Sequence, residues 1–208
     1  MALVDDLYAL IVQFSIKIYV EVDSCMRQFL LLLVLFFSSH VWSMPAQILI
    51  IRHGEKPTVG DEGIHLSPRG QQRAEALVDF FLYHPKMNQM GVPVALFAAS
   101  AKKQNGSVRP YETLLPLSEK MNLQIIRSFK SGDEAQIATE ILNNPQYDGK
   151  NIVICWVRDE LPLLAQALGI AAPPKWASPV FNQVWKIEYY ENGKSILKEI
   201  PQNLLPGD

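Results

Sequence analysis

The chain has 208 residues, 49% of them hydrophobic, and a formal net charge of −2. That suffices for one good core and excludes a broadly basic nucleic-acid-binding surface, so any anion site must be local. Cys25 and Cys155 are the only cysteines, too few for a disulfide framework or a metal cluster.

Residues 26–43 read MRQFLLLLVLFFSSHVWS: a short positive start at Met26-Arg27, an unbroken apolar run from Phe29 to Phe37, then small and polar residues. Val41 and Ser43 stand where a cleavage site before Met44 needs them. This layout predicts a secretory signal peptide and export to the periplasm or beyond, with an uncleaved membrane anchor as the alternative. Residues 1–25 fit either sequence upstream of a natural start at Met26 or a longer leader. The pattern leaves both open. Without residues 1–43 the chain loses Lys17, Arg27, Asp5, Asp6, Glu21 and Asp23, becomes formally neutral, and keeps Cys155 as an inert thiol in an apolar run. No stable membrane span is expected after processing.

The domain then runs from 44 to 208. Ile48-Leu49-Ile50-Ile51 reads as a buried central strand, and it stops at Arg52-His53-Gly54-Glu55. Ligands of open α/β sheets bind at that end of a strand. Ser67 caps and Pro68 opens a helix with apolar residues at Ala74, Leu77, Val78, Phe81 and Leu82, ended by Pro85. Val92–Ala99 is a second strand. A helix starts near Arg109, and its N-terminus faces the same crevice as Arg52 and His53. Leu123–Phe129 reads as a third strand, Asp133–Leu142 as a helix, and Lys150–Trp156 as a fourth strand. The stretch from Arg158 begins a further helix ending at Gly169. Gln183–Tyr190 and Ser195–Ile200 flank Glu191-Asn192-Gly193 as a hairpin. Alternating strands and helices predict a three-layer α/β/α sandwich with a mostly parallel sheet and a C-terminal antiparallel hairpin. Trp156, Trp176 and Trp185 read as packing residues, His65 and His84 as surface residues.

RHGE after an apolar strand resembles the signature of the histidine phosphatase (phosphoglycerate-mutase-like) superfamily. The LSPRG-x-x-RA stretch from Leu66 resembles the segment after that family's first loop. Arg109-Pro-Tyr-Glu-Thr113 resembles its R-x-x-[QE]-T. The resemblance implies a metal-independent phosphomonoester hydrolase with no cofactor, working through a phosphohistidine at His53. Its partner would be a small phosphorylated substrate or inorganic phosphate, clamped by Arg52 and Arg109. The mutase branch fits less well, because the segment from Arg109 to the third strand is short for a substrate lid.

One family residue is missing. In the branch most resembled, the fourth strand ends in CWEH, with a proline a few residues on. Here the stretch is Cys155-Trp156-Val157-Arg158-Asp159-Glu160-Leu161-Pro162, so Arg158 stands where the resemblance calls for a second histidine. An arginine still donates to phosphoryl oxygens but is longer and permanently charged. Asp159 stands where some branches have a general acid, with Glu160 and Glu55 as substitutes. An acidic residue opening a helix is an equally good account of Asp159. Two readings follow: an exported phosphatase, impaired or not, or a catalytically inactive phosphate-binding or scaffolding member of the same fold.

Overall fold

The structure, a computed structural model, describes residues 44–57, 63–190 and 192–208, together with 11–13 and 28. The chain divides into Met1–Trp42 and Ser43–Asp208. The leader reading falls outside the described residues, apart from 11–13 and 28, which are helical. Among the described residues no helix is long and apolar enough to cross a membrane.

In the second unit, strands β1 (Gln47–Arg52), β2 (Pro93–Ala98), β3 (Ile125–Ile126), β4 (Asn151–Trp156), β5 (Gln183–Tyr189) and β6 (Ser195–Pro201) form one sheet in the order β3-β2-β4-β1-β5-β6. The first four strands run parallel, while β5 is antiparallel to β1 and closes the hairpin with β6. Helices α1 (Pro68–Tyr83) and α2 (Arg109–Met121) cover one face, α3 (Glu134–Asn143) and α4 (Leu161–Ala167) the other.

Strand β1 is apolar without alternation because both faces are covered. Leu49 and Ile51 pack with α1 and α2 through Leu77, Phe81 and Leu114. Ile48 and Ile50 pack on the opposite side with Ile137, Leu164 and Trp185. Each of these fully buried side chains contributes roughly 1.5–3 kcal/mol by transfer from water. Trp156, Trp176 and Trp185 are all buried.

Two elements differ from expectation. The third strand is only Ile125–Ile126, because at this sheet edge Arg127 leaves the ladder and lays its guanidinium over the Tyr111 ring at 4.3 Å. The stretch from Arg158 opens as a 3-10 turn (Arg158–Glu160), and α4 begins only at Leu161, with Pro162 in its first turn. Ser67 does cap α1: its Oγ accepts from Gly70 N at 3.1 Å.

Candidate active site

The C-terminal ends of β1 and β4 lie side by side in the middle of the sheet, where Arg52 pairs with Trp156 and His53 N donates to Trp156 O at 3.3 Å. This is the crevice where doubly wound sheets bind ligands. The loop after β1 turns back over the first turn of α1. A Cβ on Gly70 would sit 2.4 Å from Glu55 O, and one on Gly54 2.9 Å from Gly70 O, so both positions need glycine for the two backbones to touch.

His53 is 7% exposed. Its Nδ1–H donates to Gly54 O at 2.7 Å. A carbonyl only accepts, so the proton of the neutral ring is on Nδ1 and the lone pair on Nε2. Burial, then the nearby cations Arg52, Arg109 and Lys56, outweigh the Gly54 hydrogen bond and bring the imidazole down to about 4. At neutral pH Nε2 is therefore unprotonated and has a lone pair to offer.

Arg52, 5% exposed, donates Nη1 to Ser178 O at 2.6 Å and Val180 O at 3.1 Å. The Phe181 ring lies 3.6 Å from its guanidinium carbon. Burial and then Arg158, with Arg109 a smaller cause, lower Arg52 to about 10, which leaves it charged. Arg109 opens α2 and donates Nη1 to Gly63 O at 2.8 Å. The Nε of Arg52 and that of Arg109 are buried without an acceptor. Thr113 joins helix to loop: its Oγ1 donates to Arg109 O at 2.8 Å and accepts from Gly54 N at 2.9 Å.

Arg158 reaches the same cluster from β4, and its charge is the largest coulombic influence on Arg52. Its Nε donates to Asp159 Oδ1 at 2.7 Å, its Nη2 reaches the same oxygen at 2.5 Å, and its Nη1 donates to Ser178 Oγ. Asp159 is 79% exposed in its side chain. Of the two substitutes for a proton donor, Glu160 is held by Lys102 at 2.8 Å and Ser131 at 2.6 Å. Glu55 is held by Arg73. Burial pushes both carboxyls up, their hydrogen bonds pull them further down, and both stay ionised. In the free protein neither carboxyl carries a proton at neutral pH.

Sequence reasoning missed Ser178, Val180 and Phe181, which steady Arg52 from a segment with no periodicity. It also missed Arg73 and Asp208. Arg73 carried a signal: with Gly70, Ala74 and Leu77 it falls on the buried stripe of α1, and a cation there demands a buried partner.

Among the described residues no group of three His, Cys, Asp or Glu side chains is placed to hold a metal. A cavity of about 460 Å³ opens beside the site between Glu55, Arg69, Phe181, Asn182 and Asp208. A larger one, about 630 Å³ against α3, is lined by Phe129, Thr139, Glu140 and Asn144 and has no cation for an anion.

No family model matches the sequence, and no curated protein matches it. Among solved structures, a SixA protein from Agrobacterium tumefaciens is 12% identical, with 76% of this chain and 99% of that one covered, at a TM-score of 0.43. The protein histidine phosphatase SixA, solved as a complex with tungstate, is 15% identical over 75% of this chain and 97% of that chain, at a TM-score of 0.50. In fold, this chain is similar to the protein histidine phosphatase SixA.

Proposed function

We propose that the domain is a phosphatase that passes a phosphoryl group through His53. Nε2 attacks phosphorus, the bond to the leaving group breaks, and its electron pair departs with that group. Water then attacks the phosphohistidine, releases phosphate and restores the ring, whose Nδ1–H remains on Gly54 O throughout. Arg52, Arg109 and Arg158 supply positive charge to the phosphoryl oxygens, where most catalysis of this reaction originates. Asp159 serves as the counterion of Arg158 in this reading. Since Glu55 and Glu160 are ionised, the reading favours leaving groups that need no strong acid, such as the nitrogen of a phosphoramidate, as the SixA likeness suggests, or an aryl oxygen. The cavity beside Phe181 gives that group room. Residues 26–43 support export as part of the same proposal.

The carrying observation is the His53 tautomer, Nδ1–H on Gly54 O and the lone pair on Nε2, in a ring whose charge feels the nearby Arg52 and Arg109. A second reading rests on Arg158: where the resemblance calls for a second histidine, an arginine is engaged by Asp159 and Ser178, which suits a protein that holds phosphate without turning it over. The experiment is hydrolysis of an aryl phosphate and of phosphoramidate by residues 44–208, beside Arg158→His. Turnover by the wild type, raised about tenfold or more in the variant, is expected. A silent wild type with an active variant favours the binding protein. Silence from both, with the fold intact, removes the enzyme.

A further inference from the structure

The most heavily bonded charged group described in the molecule is not in the anion cluster. Arg73 on α1 is 2% exposed, and every nitrogen of its guanidinium is engaged. Nε donates to both Glu55 oxygens at 3.1 and 3.0 Å, and Nη2 to Glu55 Oε1 at 2.7 Å. Nη2 also reaches Asp208 Oδ1 at 2.6 Å, while Nη1 donates to Asp208 Oδ2 at 3.0 Å and Gln202 Oε1 at 3.1 Å. Asp208 is itself built in, since its Oδ2 accepts from Leu204 N and Leu205 N at 2.9 and 3.0 Å and closes a turn. Arg69 adds a second cation to both carboxylates.

The atom this clasp controls is Gly54 O. That oxygen belongs to the planar peptide joining Gly54 to Glu55, so its direction is set by whatever holds the residues on either side. On the Gly54 side the anchor is the Thr113 hydroxyl. On the Glu55 side the carboxylate is held by Arg73, and Glu55 O accepts from Ser67 N at 2.9 Å. Gly54 O in turn selects which ring nitrogen of His53 keeps its proton. A buried ion pair adds little net stability, yet a carboxylate with three donors has one orientation, which is what a positioning device needs.

We infer that Arg73 and Asp208 are positioning residues for His53: by clasping Glu55 they fix the peptide whose carbonyl holds the ring with Nε2 free. The tail Leu204–Asp208 is thereby part of the site although it touches no phosphoryl group. The kinetic side of this inference rests on the proposed phosphatase reading; the tautomer does not.

The test is ¹⁵N-imidazole NMR of His53 through a pH titration in the full chain, in wild type, Asp208→Asn and Arg73→Lys, with hydrolysis and thermal melts alongside. Wild type should show the Nδ1–H form, titrating near 4. Asp208→Asn keeps shape and loses charge; it should mix the two tautomers, move the titration further down as the Gly54 hydrogen bond that raises it weakens, and lower kcat about 10²-fold, with KM changed less than about threefold. Arg73→Lys should do the same more strongly. If it does not fold, Asp208→Asn decides alone. A lower melting temperature with an unchanged tautomer and titration would overturn the inference and leave the clasp purely structural. Expected spectra from a chain that hydrolyses nothing would remove the phosphatase reading and keep the clasp.

Discussion

The two halves of the candidate site are held in different ways. At the end of β1, Arg52 and His53 are 5% and 7% exposed, and backbone carbonyls fix them from behind. At the end of β4, the side chains of Arg158 and Asp159 are 29% and 79% exposed and are tied chiefly to each other and to a serine hydroxyl. A carbonyl on a packed loop cannot move away when an anion arrives; a solvated ion pair can. The β1 half is built before any ligand comes, and the β4 half is free to rearrange. Arg158 falls on the free half.

The sharpest way to break this comparison is at the fixed half. In the proposed reading, His53→Asn removes the nitrogen nucleophile and keeps a polar side chain of similar bulk. Hydrolysis should fall by at least about 10³-fold, with the melting temperature preserved or raised. Loss of the acid-labile phosphate trapped on wild-type protein is the accompanying check. A variant that retains more than about a tenth of wild-type kcat would put the nucleophile elsewhere.

The fixed half was the more legible of the two in the sequence, for a physical reason. Arg52, His53, Gly54, Arg109 and Thr113 sit on elements whose ends short motifs announce, such as a β-branched run before RHGE and a proline after Arg109. The direction of the sheet then brings them together. The segment holding Arg52 was not legible. Ser178 and Val180 lie 126 and 128 residues from it, between α4 and β5, and contribute carbonyls, which every residue has. Nothing local in the tail says that Asp208 meets Arg73. The third strand was overread because Leu123–Phe129 has strand composition, whereas Arg127 stacks on Tyr111 rather than following the ladder. Cys155 was read correctly as sheltered: it is fully buried, and burial pushes its thiol up well beyond the ordinary range, against a Thr113 hydrogen bond that opposes the shift.

A second, smaller effect separates the halves by pH. The His53 ring takes up its proton near 6.5 when unfolded and about 4 when folded, chiefly because burial disfavours the cation. Between those values the unfolded chain binds more protons, so the contribution of His53 to stability is fully present above about 6.5 and is lost as pH falls toward 4, by up to about 3 kcal/mol. Melting curves of wild type and His53→Asn should therefore separate on acidification, the wild type losing stability that the variant keeps. The acid limb of kcat/KM should lie near pH 4, since the nucleophile must be unprotonated. An acid limb at 6 to 7 that disappears in His53→Asn would mean that the ring is solvated in solution and the β1 half is not built in advance.

The smallest effect is expected at the free half, and there smallness is informative. Asp159 has two accounts: a general acid for the leaving group, or the counterion of Arg158. Removing a general acid typically costs about 10²–10⁴-fold, most for substrates whose leaving group is a poor one. Removing the counterion of an exposed pair changes little, because water and salt already screen it. Asp159→Asn should thus change kcat by less than about threefold on aryl phosphate and phosphoramidate alike. It should tighten inhibition by inorganic phosphate modestly, because Arg158 no longer divides its donors between Asp159 and the anion. That tightening should shrink as ionic strength rises from about 0.01 to about 0.5 M, across which the Debye length shortens severalfold. A loss of about 10²-fold or more, steepest for alkyl phosphates, would instead make Asp159 the proton donor and the β4 half a working catalytic element.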